Sequence, residues 1–472
     1  MSTVHSFPVK TQRQLLLADT LTPVGVFLRV RQNYKNSVIL ESADYHGREH
    51  GFSHIAFAPI ASFELNESKV SQIFPDGSKE EFMLSGNNSA VEALKAFADC
   101  FTFQAQQGDS PMANGLFGHI SYDAVQYFED IHIQPKNTET EIPSIKYLVY
   151  KYVIAINHFN NQMTCYAHSY DGTEPNLDEI NHLLNLPQHS LEAFATVGEE
   201  KTNLTDDQIR VIVNTCIKHC LRGDVFQIVP SRRFSQDFTG DDFQVYRALR
   251  SVNPSPYMFY FDYEEYRVFG ASPEKQIKID KGIAEIHPIA GTFRRTGDDE
   301  KDAELAKALT EDPKETAEHV MLVDLARNDL SKSADEVKVE TFKEVQFFSH
   351  VIHLVSKVTG KMHNGVNPLQ LVADTFPAGT LSGAPKHNAM TIINRLEPTN
   401  RHIYGGAIGF MDFDGNFNHA IAIRTFLSKG KTLFYQAGMG VVAKSNVDSE
   451  MQEIHNKLAA LKRALDVAQK LN

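Results

Sequence analysis

The stretch TDDQIRVIVNTCIKHCLRGDVFQIVPSRRF, residues 205–234, decides the fold class of the chain. Thr205 is a typical helix N-cap with acidic residues after it, and apolar residues follow at helical spacing until Gly223 ends the helix. A strand is expected directly afterwards, over Val225–Phe234. Beyond it, helices and strands mix without the regular βαβ alternation of a doubly wound sheet. The sequence therefore predicts an α+β fold in which large antiparallel sheets pack against helices.

The chain before this stretch has a different character. Residues 20–170 consist of short alternating runs separated by turn signals. This pattern predicts strands such as Val24–Val30 and Lys146–Ile156, with one helix near Ser89–Phe101. The first part of the chain is therefore expected to be rich in strands.

A turn and a polar segment of weak periodicity fill residues 171–204 and indicate a boundary. The length of 472 residues is enough for two or three domains. We therefore expect a smaller N-terminal portion at 1–185, a linker at 186–204 and a larger domain at 205–472.

The composition is that of a globular enzyme, with 42% hydrophobic and 22% charged residues. Acidic residues outnumber basic ones, 59 against 46, and the formal charge of −13 disfavours nucleic acid as the main partner. Four scattered cysteines fit neither a disulfide framework nor a zinc site, and the polar N-terminus does not resemble a signal peptide. The most apolar stretch, Tyr147–Ile156, is about half the length of a membrane-spanning helix. These features favour the cytoplasm.

Two pairs of glutamates lie at helical spacing in the second half. Glu315 and Glu318 share one face of a helix that begins near Asp312, and Glu450 and Glu453 lie in the first turns of the C-terminal helix. Acids in a first turn are often only partners of the helix dipole. If the two helices converge, however, the carboxylates would attract a hard cation, for which Mg²⁺ is the natural candidate.

Several polar features accompany these acids. Glycines before a helix in the run 378–386, and again in Gly438-Met439-Gly440, can direct backbone amides at an anion, although each can also be a simple turn. Arg424 lies in an apolar strand and can pair with a protein acid or with a bound carboxylate. His353, on another apolar strand, is either a satisfied core residue or a functional base.

Together these segments resemble the chorismate-utilising enzymes, and most closely the large subunits of anthranilate synthases. The resemblance extends in order over nearly all of residues 205–465. The matching runs are GDVFQIVPSRRF (223–234), NPSPYMFYF (253–261), GASPE (270–274), HPIAGT (287–292), AEHVMLVDLARNDL (317–330), FSHVIHLVSKVTG (348–360), FPAGTLSGAPK (376–386), YGGAIGF (404–410), AIAIRT (420–425), AGMGVV (437–442) and EMQEIHNK (450–457).

The resemblance implies an active site for chorismate in the domain 205–472. It implies that Glu318 and Glu453 are ligands of Mg²⁺ and that Glu315 and Glu450 support the ion through water. The substrate-binding residues implied are Thr292, Tyr404, Arg424, Gly438 and Gly440, and the catalytic ones are Glu274 as general acid, His353 as base, Thr380 and Gln227.

Two positions distinguish the reactions within this family. Relatives that add water carry a lysine at the position of Gln227, and the relative that makes 4-amino-4-deoxychorismate carries a nucleophilic lysine at the position of Ala290. Neither glutamine nor alanine can supply that chemistry. The resemblance therefore implies direct attack by ammonia and formation of anthranilate and pyruvate, a lyase reaction that is the first committed step of tryptophan biosynthesis.

The N-terminal portion carries a motif that the resemblance assigns to feedback inhibition by tryptophan. Ile39-Leu40-Glu41-Ser42 and the run from Asn253 to Met258 match the two halves of the tryptophan pocket in bacterial relatives. The binding residues implied are Glu41, Ser42, Pro256, Tyr257 and Met258. By itself, the first motif could equally be a strand end.

No cysteine lies in the Gly-x-Cys-x-Gly pattern of a glutamine amidotransferase, so the resemblance implies ammonia from a separate subunit and a hetero-oligomer. Two alternatives stay open at this point. The chain could be an aminodeoxychorismate synthase, which releases no pyruvate, or a sensor of chorismate or tryptophan without catalysis.

Overall fold

A computed structural model describes residues 5–42, 51–85, 89–136, 139–187, 190–347 and 351–471. The helices are α1 (Pro23–Asn33), α2 (Ala90–Ala98), α3 (Asp178–Asn185), α4 (Asp206–Arg222), α5 (Phe243–Val252), α6 (Asp299–Glu311), α7 (Pro313–Leu330), α8 (Pro368–Thr375), α9 (Gly379–Ser382), α10 (Lys386–Leu396) and α11 (Val447–Ala468). A short 3₁₀ helix covers Tyr122–Tyr127.

The strands of the described residues lie before or between these helices, either singly or in runs of several consecutive strands. In the first part they are β1 (Phe7–Pro8), β2 (Lys10–Leu17), β3 (Val38–Glu41), β4 (Phe52–Asn66), β5 (Lys69–Ile73), β6 (Lys79–Met83), β7 (Phe101–Thr102), β8 (Leu116–Ile120), β9 (Ile145–Asn157), β10 (Gln162–Ser169) and β11 (Ala195–Thr202). They continue as β12 (Gln227–Ile228), β13 (Ser231–Thr239), β14 (Tyr257–Asp262), β15 (Tyr266–Ser272), β16 (Lys275–Asp280), β17 (Ile283–Ile286), β18 (Ile289–Arg294), β19 (Ala334–Phe347) and β20 (Val351–Met362). The last are β21 (Gly383–Ala384), β22 (Ala407–Met411), β23 (Phe417–Ile421), β24 (Thr425–Lys429), β25 (Thr432–Gly438) and β26 (Val441–Val442).

Two long strands, β4 and β9, pair with each other and connect two antiparallel sheets. Because the two strands are antiparallel, the first half of β4 and the second half of β9 belong to one sheet, and the remaining halves belong to the other. Between the halves β4 bends at Ala58, which has φ of 57°, and the register of the pair shifts after Pro59. Sheet I runs in the order β11-β13-β25-β24-β15-β14-β3-β4-β9-β10-β2. Sheet II runs β6-β5-β4-β9-β8-β22-β23-β16-β17-β20, and β18 and β19 also pair with β20.

Apolar side chains divide the molecule into four layers. One core lies between the sheets and contains Phe117 and Phe410 from sheet II with Phe259 and Leu427 from sheet I. A second core packs α1, α4, α5 and α11 on sheet I, and a third packs α2, α7 and α8 on sheet II. The predicted α+β fold with large antiparallel sheets is therefore confirmed.

Several local expectations are also confirmed. The helix from Thr205 begins with a capping box, in which Thr205 accepts from the Gln208 amide and Gln208 reaches back to Thr205, and it ends at Gly223 with φ of 79°. The predicted strand over Val225–Phe234 is present in two pieces, since Pro230 separates β12 from β13 and offers no backbone donor.

The strand predicted over Val24–Val30 is wrong, because these residues belong to helix α1. Thr22 accepts a hydrogen bond from the Gly25 amide, and Pro23 occupies the first helical position, where its missing N–H costs nothing. The apolar residues then face sheet I on one side of the helix. The run is short enough that period two and period 3.6 could not be distinguished in the sequence.

Strands of the expected N-terminal portion pair with strands of the larger domain. In sheet I, β3 pairs with β14, and in sheet II, β8 pairs with β22. Residues 195–202 of the expected linker form β11, which pairs with β13. The boundaries at 1–185, 186–204 and 205–472 stay a prediction. Among the helices of the described residues, none is both long and apolar enough for a membrane span.

Replacing Thr205 by alanine tests the capping box of α4. Thr205→Ala should lower the free energy of unfolding by about 1 kcal/mol, because the Gln208 amide loses its acceptor. Thr215→Ala, in the middle of the same helix, is the matched control and should have little effect or a slight stabilising one. Urea unfolding would measure both, and equal values for the two variants would contradict the role of the cap.

Candidate active site

Glu274 and Arg424 both lie where the chain passes between the two sheets. Glu274 follows β15 of sheet I and precedes β16 of sheet II, and Arg424 separates β23 of sheet II from β24 of sheet I. The Ile421 amide donates to the Glu274 carbonyl at 3.0 Å, so the two crossings are hydrogen-bonded to each other. Opposite charges therefore meet at one junction of the fold.

The prediction that Arg424 lies within a strand is wrong. Arg424 is at a bend between two strands and has φ of 52°, in the left-handed region that residues other than glycine rarely adopt. Its half-buried guanidinium feels the negative charges of Glu453 and Glu274. Burial lowers the pKa of Arg424, and Tyr404 and these two carboxylates raise it again. Arginine remains charged in such surroundings, so the site contains a permanent cation.

The Glu274 carboxyl is held by a threonine from α9. Thr380 Oγ1 donates to Glu274 Oε1 at 3.1 Å. Burial raises the pKa of Glu274 to about 7, although the Thr380 hydrogen bond and the charges of Lys457 and Arg424 each lower it. A carboxyl with this pKa is partly protonated at neutral pH and can act as a general acid.

His353 comes from β20, and its neighbour across the ladder is Thr292 of β18. His353 Nδ1 lies 2.8 Å from the Gly291 carbonyl oxygen, which can only accept, so Nδ1 carries the proton and Nε2 carries the lone pair. Burial lowers the pKa of His353, the Gly291 carbonyl raises it, and the charge of Arg424 lowers it. The imidazole is therefore neutral at pH 7 and can act as a base.

Gly438 ends β25 and Gly440 follows it, and a Cβ at either position would be close to a polar side chain. A Cβ on Gly438 would be 2.9 Å from the Tyr404 hydroxyl, and a Cβ on Gly440 would be 2.8 Å from Gln227 Nε2 and 3.8 Å from Glu318 Oε1. Lys457 of α11 donates to the Gly438 carbonyl at 2.9 Å. The bare backbone of this turn therefore faces Tyr404, Gln227 and Glu318.

The two acidic helices belong to opposite layers. Glu318 of α7 accepts from Gln227 Nε2 at 3.1 Å, and Glu453 of α11 lies 2.5 Å from Lys457 Nζ. Glu315 Oε2 would be 3.3 Å from a Cβ on Gly291, and Glu450 is buried on α11. Within the described ranges, no three His, Cys, Asp or Glu side chains form a group that could hold a metal ion. The convergence of all four carboxylates therefore remains a hypothesis.

Neither position that distinguishes the reactions carries a basic side chain. Gln227 is buried in β12, between β21 and β26, and within the described part of the chain its Oε1 has no hydrogen-bond partner. Ala290 is buried on β18. No amine of these two residues can therefore act as base or nucleophile at the site.

The two motifs expected to form an inhibitor pocket are neighbours in sheet I. Glu41 of β3 is opposite Met258 of β14, and Tyr257 and Pro256 precede Met258 in the chain. The buried Glu41 carboxylate accepts from four donors: Tyr246 (2.6 Å), Ser53 (3.2 Å) and two nitrogens of Arg250 (2.7 and 2.9 Å). The Ser42 amide donates to the Phe52 carbonyl.

Two functional contacts were not predicted from the sequence. Lys457 joins Glu453 to the Gly438 turn, and its spacing of four residues from Glu453 was the available signal. Arg401, buried beside Tyr404, has an equivalent signal in Glu397 four residues before it.

The chain is similar to known proteins over most of its length. The family model described as chorismate binding enzyme matches residues 36–463. Anthranilate synthase component 1 of Aquifex aeolicus is 36% identical, with 96% of this chain and 94% of the relative covered. That of Neisseria gonorrhoeae is 35% identical, with 97% and 95% covered.

Solved structures give the same result for the fold. The crystal structure of anthranilate synthase component I from Streptococcus pneumoniae has a TM-score of 0.78 at 30% identity and covers 94% of this chain and 99% of that chain. The menaquinone-specific isochorismate synthase MenF of Escherichia coli has a TM-score of 0.74 at 17% identity, with 98% and 95% covered, which shows a shared fold alone.

The Thr380 hydrogen bond gives a prediction about the pKa of Glu274. Thr380→Val should raise this pKa above about 7, because the carboxylate loses a donor that stabilises its charged form. Thr380→Ser keeps the hydroxyl and is the control. Carbon-13 NMR of labelled glutamate side chains would follow the titration, with the Glu274 signal assigned by its loss in Glu274→Gln. An unchanged pKa in Thr380→Val would contradict the assignment.

Proposed function

The chain belongs to the family of chorismate-binding enzymes, and on that basis we propose that it is the chorismate-converting component of an anthranilate synthase. It converts chorismate and ammonia into anthranilate, pyruvate and water. The observation that carries the proposal is that a carboxyl with a pKa of about 7 and a neutral imidazole both experience the charge of the Arg424 guanidinium. The relatives from Aquifex aeolicus and Neisseria gonorrhoeae are both named anthranilate synthase component 1.

Chorismate is a dianion, and the site offers separate contacts for its two carboxylates. Arg424 and Tyr404 bind the carboxylate of the enolpyruvyl group, since a guanidinium and a phenol both donate hydrogen bonds. Gly438 and Gly440 present backbone amides to the ring carboxylate, where the absence of a Cβ permits close approach. The resemblance also assigns Thr292 to this pocket, and its side chain lies outside the part that the structure describes.

In this reaction one side chain of the site donates a proton to the substrate, and another removes a proton from it. Glu274 protonates the departing ring hydroxyl, which leaves as water while ammonia forms a bond to the ring carbon beside the carboxylate. The ammonium group formed by this attack releases one proton to solvent. His353 then removes the proton of the ring carbon that carries the nitrogen, the bond to the enolpyruvyl oxygen breaks, and the ring becomes aromatic. The enolpyruvate that leaves takes up a proton and becomes pyruvate. Thr380 keeps Glu274 in place. Each proton transfer of this kind contributes about 10²- to 10⁴-fold to the rate.

Ammonia is the nucleophile because neither Gln227 nor Ala290 offers the amine that other reactions of the family use. The amide of Gln227 is too weak a base to activate water, and Ala290 lacks an amine that could form a covalent adduct. Ammonia carries its own lone pair and needs no base. The amide of Gln227, bonded to Glu318, instead supports the acidic helix.

The donor set fits Mg²⁺. Glu318 and Glu453 offer carboxylate oxygens, the ligand type that this ion prefers, and a Cβ on Gly440 would lie 3.8 Å from Glu318 Oε1, so the glycine keeps this space open. Glu315 and Glu450 support the two ligands through water. When bound, Mg²⁺ neutralises the ring carboxylate and polarises the substrate as a Lewis acid.

A separate glutamine amidotransferase subunit supplies the ammonia, and the two chains form a hetero-oligomer in the cytoplasm. The name component 1 of the relatives supports a second component. The reaction is then the first committed step of tryptophan biosynthesis.

Tryptophan inhibits the enzyme by binding at the junction of β3 and β14. Glu41 and Ser42 recognise its amine, and Pro256, Tyr257 and Met258 pack near the indole. The register of Glu41 opposite Met258 supports this pocket. Both Glu41 carboxylate oxygens already accept hydrogen bonds, so the tryptophan amine has to replace one of the present donors. In this proposal the replaced donor is Arg250, whose side chain is partly exposed. Inhibition then requires two conformational states of the enzyme that differ in their affinity for tryptophan.

Glu453→Gln tests the metal site and the reaction together. With chorismate, Mg²⁺ and an ammonium salt, the wild-type chain should produce fluorescent anthranilate and an equal amount of pyruvate. The variant should lose about 100-fold or more in kcat/KM, because an amide is a weaker ligand than a carboxylate. Asp466→Asn, exposed on the same helix, is the matched control. Unchanged turnover in Glu453→Gln would contradict the ligand assignment.

The wild-type assay also separates the alternatives. An aminated product without pyruvate would indicate an aminodeoxychorismate synthase. Binding of chorismate without any product would indicate a sensor.

Glu41→Gln tests the inhibitor site. The tryptophan concentration for half-inhibition should rise about 10- to 100-fold, because the ammonium group loses a charge-assisted hydrogen bond. Uninhibited kcat should change little, and titration calorimetry would measure tryptophan binding directly. Unchanged tryptophan binding in a folded variant would place the amine elsewhere.

A further inference from the structure

A buried ion pair joins the end of α10 to the turn before β22. Arg401 Nε and Nη2 donate to the two carboxylate oxygens of Glu397 at 2.9 and 2.6 Å. Both side chains are almost fully buried, at 2% and 4% exposure. A buried ion pair of this kind is weak evidence for stability, since apolar residues of similar volume often serve as well. Stability alone therefore does not account for the hydrogen bonds that the pair makes to neighbouring segments.

The remaining donors of Arg401 reach two segments that carry proposed site residues. Nη2 donates to the Val229 carbonyl at 2.6 Å, two residues after Gln227. Nη1 donates to the Leu381 carbonyl at 2.7 Å, one residue after Thr380. The planar guanidinium can hold these two carbonyls and Glu397 at once because its five donors have fixed directions.

Glu397 extends the connection to the glycine turn. Its Oε1 accepts from the Ser231 amide at 2.8 Å and from the Ser231 hydroxyl at 2.7 Å. Ser231 is in turn the ladder partner of Gly438 in β13 and β25. The carboxylate therefore fixes the strand against which the Gly438 backbone is placed.

Arg401 also contacts Tyr404 directly. Its guanidinium carbon lies 5.7 Å from the centre of the Tyr404 ring and 4.6 Å from that of Tyr122. The His402 amide donates to buried Asp123 at 2.7 Å, which fixes the turn that carries Arg401. Tyr404, whose amide also donates to the Arg401 carbonyl at 3.2 Å, is thus packed against the residue that holds Val229 and Leu381.

We propose that Glu397 and Arg401 are positioning residues of the active site, which set the relative places of Gln227, Thr380, Tyr404 and Gly438 without touching the substrate. This inference rests on the proposed function in that it assigns these four residues to one chorismate site. It goes beyond that function because neither member of the pair belongs to the site itself.

Arg401→Lys tests the pair with a change that keeps the positive charge. A lysine ammonium can remain beside Glu397, yet it cannot reach Val229 and Leu381 with the same geometry. The kcat/KM for chorismate should fall about 10- to 100-fold, since small displacements of reacting groups are costly. The pKa of Glu274 should rise, because Thr380 loses its fixed place and that hydrogen bond lowers the pKa.

Arg31→Lys is the matched control. Arg31 is likewise bonded through two nitrogens to one carboxylate, that of Asp241, and lies over two rings, those of Phe243 and Tyr260. Arg31→Lys should lower the thermal midpoint of unfolding about as much as Arg401→Lys does. The kcat/KM and the pKa of Glu274 should stay unchanged in Arg31→Lys. Equal effects of the two variants on kcat/KM and on this pKa would overturn the proposal.

A double variant, Arg401→Met with Glu397→Leu, keeps the volume and removes the charges, so that it can fold where the single change does not. It should show the same loss of kcat/KM. Wild-type kcat/KM in the double variant, or failure of both variants to fold, would overturn the proposal in favour of a structural role. The NMR titration of Glu274 needs no turnover, so it tests the pair even if the wild-type chain forms no anthranilate.

Discussion

The meeting of Glu274 and Arg424 at the junction of the two sheets is the constraint on which the site depends. A chain that forms two packed sheets has to pass from one to the other, and these crossings bring strand ends together in a partly buried place. Charges there are stable only with partners. The Thr380 hydrogen bond and the charges of Lys457 and Arg424 stabilise the ionised form of Glu274. Tyr404 and Glu453 stabilise the charged form of Arg424. Elements distant in the sequence are thereby fixed around a single space.

The same burial shifts the two proton-transfer groups in opposite directions. It raises the pKa of the Glu274 carboxyl and lowers that of the His353 imidazole, so that an acid and a base are present together near neutral pH. The carbonyl of Gly291 then selects the nitrogen of His353 that holds the lone pair. Proton transfer in the proposed reaction therefore follows from the layered architecture as much as from the residue types.

Local elements were predictable where the signal is short-range. The capping box at Thr205, the helices that begin near Asp312 and Asp448, and the long strand at Lys146–Ile156 all depend on residues within a few positions of one another. The strand expected at Val24–Val30 failed because its pattern suits both periods and the cap at Thr22 decided for a helix. Arg424 was expected within a strand, since nothing nearby indicates that the chain changes sheets there.

The sequence by itself determined the α+β class, the capped helices, the family and the two positions, Gln227 and Ala290, that lack a lysine. These depend on residue types and on near neighbours. Only the tertiary structure decided that Thr380 meets Glu274, that Lys457 reaches Gly438 and that Arg401 joins three segments behind the site. Such contacts join residues far apart in the chain, and the burial that shifts their pKa values exists only after the sheets and helices have packed.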